Sequence, residues 1–222
     1  MSTIVVLGGG IGGLSAAFEL KDELGDKHEI VVVSDQPHFE FTPSNPWVAV
    51  NWRKPEAIRL DLDQLLSKHG IRFVGTGAKR VQPESHSLLL ENDEVLPYNY
   101  LVIASGPKLA FEEIPGLGPH GGFTQSVCKT DHASIMADQF EAFCANPGPV
   151  VIGAAQGASC YGPAYEYTFI IETELRKRKI RDRVPMFFVT PEPYVGHLGL
   201  DGVGDTKSLM ESELRARHVK WY

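Results

Sequence analysis

The sequence predicts an α/β protein made of two doubly wound units, with a C-terminal part missing. Three observations lead there. Short continuous apolar runs such as Ile4-Val5-Val6-Leu7 and Ile30-Val31-Val32-Val33 read as buried parallel strands. Stretches with helical periodicity separate them. The strand–helix alternation occurs twice, over residues 1–107 and again over 108–222, on either side of a Gly- and Pro-rich crossover.

Taken in order, the first strand runs straight into Gly8-Gly9-Gly10-Ile11-Gly12-Gly13. A helix follows from Leu14 to Leu24 with Leu14, Ala17 and Phe18 toward one face. The second strand closes on Ser34-Asp35-Gln36-Pro37. Residues 38–57 read as a long connection without clear periodicity. A helical stretch at 61–69 leads to a strand at 71–74, small antiparallel strands near 78–81 and 87–90, and a buried strand from Tyr100 to Ala104. Ser105-Gly106-Pro107 breaks it. The second unit has a strand at Val150-Val151-Ile152, a helix from about Gly162 to Arg178, a strand at 185–189 and a helix at 206–216. His218 to Tyr222 reads as a further strand pairing with the preceding one. A domain rarely stops inside a core strand, so the sequence is expected to be a fragment.

Composition narrows the function classes. Of 222 residues, 43% are hydrophobic and 22% charged, ordinary for a globular domain. The net charge of −7 disfavours nucleic acid as the main partner. The basic run Arg176-Lys177-Arg178-Lys179, with Arg181 and Arg183, reads as a solvated helix end. No stretch approaches the ~20 apolar residues of a spanning helix, and the start lacks the pattern of a signal peptide. Cys128, Cys144 and Cys160 match neither a zinc pattern nor a disulfide framework, and no metal site is expected.

Gly8-x-Gly10-x-x-Gly13-x-x-x-Ala17 is the dinucleotide fingerprint in its required place, between a strand and a helix. The two units are therefore expected to be Rossmann-like. Gly8 allows the tight turn, Gly10 lets a pyrophosphate approach the backbone, and Gly13 with Ala17 lets helix and strand pack closely; Gly9 and Gly12 complete the run. Asp35, with Ser34 beside it, lies where an acid holds ribose hydroxyls. FAD and NAD share this pattern. Tyr98-Asn99-Tyr100-Leu101-Val102-Ile103-Ala104-Ser105-Gly106-Pro107 resembles the second motif of flavoproteins with two dinucleotide domains, Ser105 standing for the usual Thr, and points to FAD. The second unit reads Gly153-Ala154-Ala155-Gln156-Gly157-Ala158. Alanines stand where the second and third glycines would be, which disfavours NAD(P)H and makes this unit a degenerate copy.

Three further segments closely resemble sulfide:quinone oxidoreductases of the bacterial type: residues 41–50 from Phe41-Thr42-Pro43, residues 157–167 around Ser159-Cys160-Tyr161-Gly162-Pro163, and Glu192-Pro193-Tyr194-Val195-Gly196-His197-Leu198-Gly199. The resemblance runs over the whole chain, and members of that family continue well beyond residue 222. It implies that Thr42 and Ala78 join the FAD contacts, alongside Ala104, Ser105 and Gly106. It also implies that Cys160 and a cysteine outside this chain form the sulfur bridge that sulfide opens. A persulfide forms and electrons pass through the flavin to a quinone. By the same resemblance Cys128 assists sulfur transfer, and His132 and His197 are candidates for proton transfer. Glu166 is a candidate base if it is desolvated, and otherwise a carboxylate at a helix N-terminus. Cys144 reads as packing.

The resemblance implies a quinone site mostly outside this chain and peripheral attachment to the cell membrane through the missing part. A homo-oligomer stays open. The flavin subunit of a flavocytochrome c sulfide dehydrogenase is the alternative in the same fold, disfavoured because that family is exported and would show a signal sequence. Type II NADH dehydrogenase is disfavoured by residues 153–158. The alternative from another class is a non-catalytic FAD-binding or interaction fragment.

Overall fold

β1 (Thr3–Leu7) is a run of β-branched and apolar residues, and its middle three side chains are buried. In the structure, a computed structural model describing residues 1–222, α1 (Ile11–Leu24) follows after only three residues and leads to β2 (Glu29–Val33). β3 (His38–Glu40) comes next, then α2 (Asn45–Val48), then β4 (Arg59–Asp61), which pairs antiparallel with β3. α3 (Leu62–Ser67) starts where Asp61 accepts the Gln64 N–H at 2.8 Å, a side-chain N-cap. β5 (Arg72–Val74), the antiparallel trio β6 (Ala78–Gln82), β7 (Ser87–Leu90) and β8 (Val95–Pro97), and β9 (Tyr100–Ile103) complete the first half of the chain.

The main sheet of this half has the order β5-β2-β1-β9, all parallel. Both of its faces are covered, which explains why the strand sequences are continuous apolar runs. Val6, Ile30 and Val32 pack with Leu14, Ala17, Leu62, Leu66 and Ile71 on one face. Val5, Val31 and Val33 pack with Leu88, Leu90 and Leu96 on the other. Each fully buried aliphatic side chain contributes about 1.5–3 kcal/mol relative to exposure.

The chain separates into two units: Met1–Phe41 with Glu56–Pro115, and Thr42–Pro55 with Gly116–Tyr222. The segment 42–55 lies within the first unit in sequence but groups with the second. Its anchors are specific. Asn45 accepts from the buried Thr130 hydroxyl at 3.0 Å, and the Trp52 indole N–H donates to Glu174 at 2.6 Å.

The second unit contains α4 (Thr130–Ala145), β10 (Val150–Gly153), α5 (Gly162–Lys177), β11 (Met186–Val189), α6 (Thr206–Ala216) and β12 (Val219–Trp221). Its sheet is parallel, in the order β10-β11-β12. The basic run ending α5 is more than a solvated helix end. Arg176 pairs with buried Glu172, and Arg178 bridges Glu141 at 2.6 Å and Glu174 at 2.8 Å. Arg181 donates to the carbonyls of Val184 and Arg217 at 2.7 Å each. The run is thus largely a clamp inside this unit. No helix of the structure is long and apolar enough to cross a membrane.

Candidate functional site

In the first unit the turn from β1 into α1 is packed to the limit of what glycine allows. A Cβ on Gly8, whose φ is +124°, would lie 2.2 Å from the Ala104 carbonyl oxygen. A Cβ on Gly13 would lie 1.9 Å from the Gly8 carbonyl, and one on Gly9 would meet Leu62 at 2.7 Å and Ser34 at 3.1 Å. Only glycine fits at Gly8 and Gly13, which face backbone, whereas the contacts at Gly9 are side-chain atoms able to shift. Gly10 is different, because a Cβ there would meet nothing within 4 Å. The backbone at Gly10 thus borders open space at the N-terminus of α1, where unpaired helix N–H groups suit a phosphate. These residues fit FAD: packing glycines hold the turn, and the one glycine free of protein neighbours lies where the pyrophosphate would approach.

The structure brings Gly8, Gly9, Gly12, Gly13, Ser34 and Ala104 together around this turn. Gly8 donates to the Val33 carbonyl at 2.8 Å and Ala104 to the Leu7 carbonyl at 2.8 Å, which ties the ends of β1, β2 and β9 to one another. Ser34 is buried, accepts the Gln36 N–H at 3.1 Å, and leaves the adjacent Asp35 exposed. Gly106 takes φ +71° just past β9, beside Ser105. Ala78 begins β6, where it pairs with Leu90. Thr42 lies in the other unit.

In the second unit the equivalent connection, from β10 to α5, spans residues 154–161. A Cβ on Gly153 would lie 1.9 Å from the Val189 carbonyl oxygen, so this glycine is a packing position as Gly8 is. Beyond it the likeness ends. Ala155 and Ala158 stand at fingerprint positions, and Ala158 lies in the loop, hydrogen-bonded to the Ala155 carbonyl, where the third glycine should already be helical. The degeneracy is therefore one of length as well as residue type. Cys160 is exposed near the end of this connection, just before Tyr161 and the Pro163-containing first turn of α5.

Beside it stands a polar network after β11. Glu192 accepts from the Tyr165 hydroxyl at 2.7 Å, the Thr190 hydroxyl at 2.7 Å and the Leu198 N–H, while Gly196 donates to the Tyr165 oxygen at 2.9 Å. Burial, reinforced by Glu192, pushes the Tyr165 phenol well above its ordinary range. The network fixes residues 192–198 and with them His197, whose Nε2 lies 3.2 Å from Asp201 Oδ1. Sequence reasoning missed Glu192, Tyr165 and Thr190 as supports, although Glu192 and Tyr165 fall inside the resemblance segments.

Cys128 is exposed and precedes α4, which begins at Thr130, so it lies outside the helix that carries His132. His132 is buried, and that burial pulls its imidazole below the ordinary histidine value. Cys144 is half-buried on α4 and burial pushes its thiol up, as suits a packing residue. Glu166 is exposed on the first turns of α5, so its own unit does not supply the desolvation a base would require.

Residues 2–155 match the family model described as pyridine nucleotide-disulphide oxidoreductase, and the chain belongs to that family, whose members are FAD-binding flavoproteins. It is 42% identical to the sulfide-quinone reductase of Aquifex aeolicus (strain VF5) over 218 residues, 98% of this chain and 50% of that protein. The crystal structure of the sulfide:quinone oxidoreductase from Aquifex aeolicus superposes with a TM-score of 0.94 at 41% identity, covering 100% of this chain and 51% of the other. The mitochondrial sulfide:quinone oxidoreductase of Dictyostelium discoideum is 25% identical over 85% of this chain and 42% of its own length. The chain thus spans about half the length of the curated relatives it matches.

Proposed function

We propose that this chain is the FAD-binding and first-cysteine half of a sulfide:quinone oxidoreductase. The observation that carries the reading is the β10–α5 connection. Where a nicotinamide turn would stand, the second unit has a longer loop without the second and third glycines, and it presents an exposed thiol at Cys160. The identity to sulfide-quinone reductase over 98% of the chain supports the same assignment.

Gly8–Gly13, Ser34, Asp35 and Ala104–Gly106 hold FAD, with Thr42 and Ala78 as further contacts. The bound group supplies a two-electron acceptor. Cys160 shares a disulfide or polysulfide bridge with a cysteine outside this chain. Hydrosulfide attacks that bridge, a new S–S bond forms on one cysteine, and the other departs as thiolate, so sulfur is carried forward as a persulfide. A soft thiol at an accessible position suits this exchange. Cys128, also exposed, is the candidate for relaying sulfane sulfur. His132, whose imidazole burial pulls below the ordinary histidine value, and His197, oriented through Asp201, are candidates to accept the protons that sulfide releases. The electrons leave to a quinone, at a membrane surface reached through parts of the protein beyond this chain.

The test is sulfide-dependent quinone reduction by the full-length protein, alongside a flavin-replete Cys160→Ser variant. Loss of turnover with flavin retained is the expected result. Near-normal turnover in that variant would remove Cys160 from the reaction, and absence of activity in the unaltered protein would remove the reaction itself.

A further inference from the structure

We infer that His120, Asp131 and His132, outside both turns described above, form a binding site for one divalent ion of the zinc class. Each offers one ligand atom, two imidazole nitrogens and a carboxylate oxygen, and these atoms all lie within 4.8 Å of one another. Asp131 is the hub. Its Oδ2 is 3.9 Å from His120 Nε2 and its Oδ1 is 4.0 Å from His132 Nε2, while the two imidazole rings meet edge to face with centroids 5.2 Å apart.

Zinc takes nitrogen and oxygen ligands at about 2.0–2.2 Å, so tetrahedral neighbours stand roughly 3.3 Å apart. Bringing the three atoms to that spacing takes shifts of about 1 Å. The side chains that must move are the ones able to: His120 is 65% exposed and Asp131 60% exposed, whereas His132, 4% exposed, is the fixed anchor on α4. Two imidazoles and one carboxylate select zinc, copper or nickel over magnesium or calcium, which prefer all-oxygen shells. The Asp131 carboxylate also supplies the negative charge that a cation needs beside a helix N-terminus, where the dipole alone would repel it. The exposed side leaves room for water to complete the coordination.

The site shares His132 with the proposed reaction, so the readout chosen is the metal itself and not turnover. The purified chain is loaded with Zn2+, passed through a desalting column and assayed for retained zinc, and Co2+ is titrated separately to watch for visible d–d bands. His120→Ala and Asp131→Asn are the variants; both residues are exposed, so the fold is retained, as circular dichroism would verify. One zinc per chain is expected in the unaltered protein, weakened roughly tenfold or more in each variant, with d–d bands lost in both. Undiminished retention in both variants overturns the site, as does failure of the unaltered protein to hold zinc. Weakening in only one of them leaves a two-ligand surface contact and overturns the three-ligand assignment.

Discussion

The turns at 8–10 and 154–161 occupy corresponding places, each between the first strand of a parallel sheet and its helix. Each has a glycine at the junction with its strand, Gly8 or Gly153, whose Cβ would collide with a carbonyl of a neighbouring segment. From there they diverge. The first is three residues long and delivers the α1 N-terminus to the sheet, with open space beside Gly10. The second is longer, starts its helix late at Gly162, and carries Cys160. A shared strand–turn–helix order thus constrains the glycine at the strand end, while the length of the turn is free to differ.

The sharpest way to break that comparison is in the first turn. Gly13→Ala, which places a methyl against the Gly8 carbonyl, is expected to destabilise the protein by about 4 kcal/mol or more, read by chemical denaturation. Gly10→Val should leave the fold intact and abolish flavin absorbance. If the Gly10→Val protein stayed fully yellow, the open space beside Gly10 would have no role in holding the pyrophosphate. In the second turn, Cys160→Ser in the full-length protein should reduce sulfide-dependent quinone reduction to background, whereas Cys144→Ser should leave it near normal. Equal losses in the two variants would erase the distinction between an accessible thiol and a packing one.

Smaller effects sharpen the contrast. Glu192→Gln weakens the charge-assisted hydrogen bonds from Thr190, Tyr165 and Leu198, and a loss of about 1–3 kcal/mol is expected in thermal unfolding. An unchanged Tm would mean the 192–198 loop is held by other contacts. Alkylation at neutral pH should modify the exposed Cys128 and Cys160 before Cys144, whose thiol is pushed up by burial and therefore holds less thiolate there. Raising the pH should narrow the gap, and mass spectrometry of the alkylated chain reads the order directly. The smallest expected effect is none at all: NADH should not bleach the flavin, because neither the length nor the residues of 154–161 make a nicotinamide cradle. Rapid bleaching would reverse that reading.

The parallel strands were legible because burial on both faces leaves continuous apolar runs, and the first turn because Gly8 and Gly13 sit where backbone leaves no room for a side chain. The start of α5 was legible too, from Gly162-Pro163. α2 was not, since four residues carry no period and their burial depends on partners as distant as Thr130 on α4. β8 was missed for a similar reason: three residues with one buried side chain carry no detectable alternation. His120 was passed over because a histidine in a Gly- and Pro-rich stretch has no signature of its own. It gains meaning only when the chain brings it beside Asp131 and His132.

The grouping of residues 42–55 with the second unit has a consequence for synthesis. Nearly all of the first unit can fold once Pro115 has left the ribosome, since its sheet is complete by β9. Residues 42–55 cannot settle then. Val48, Ala49 and Val50, all buried in the finished protein, must wait for α4 and α5. At translation rates of about 5–20 residues per second, that wait is on the order of ten seconds. During it, the apolar side chains of residues 48–50 stay exposed to solvent beside an otherwise finished first unit, the one delay that this chain order imposes on its folding.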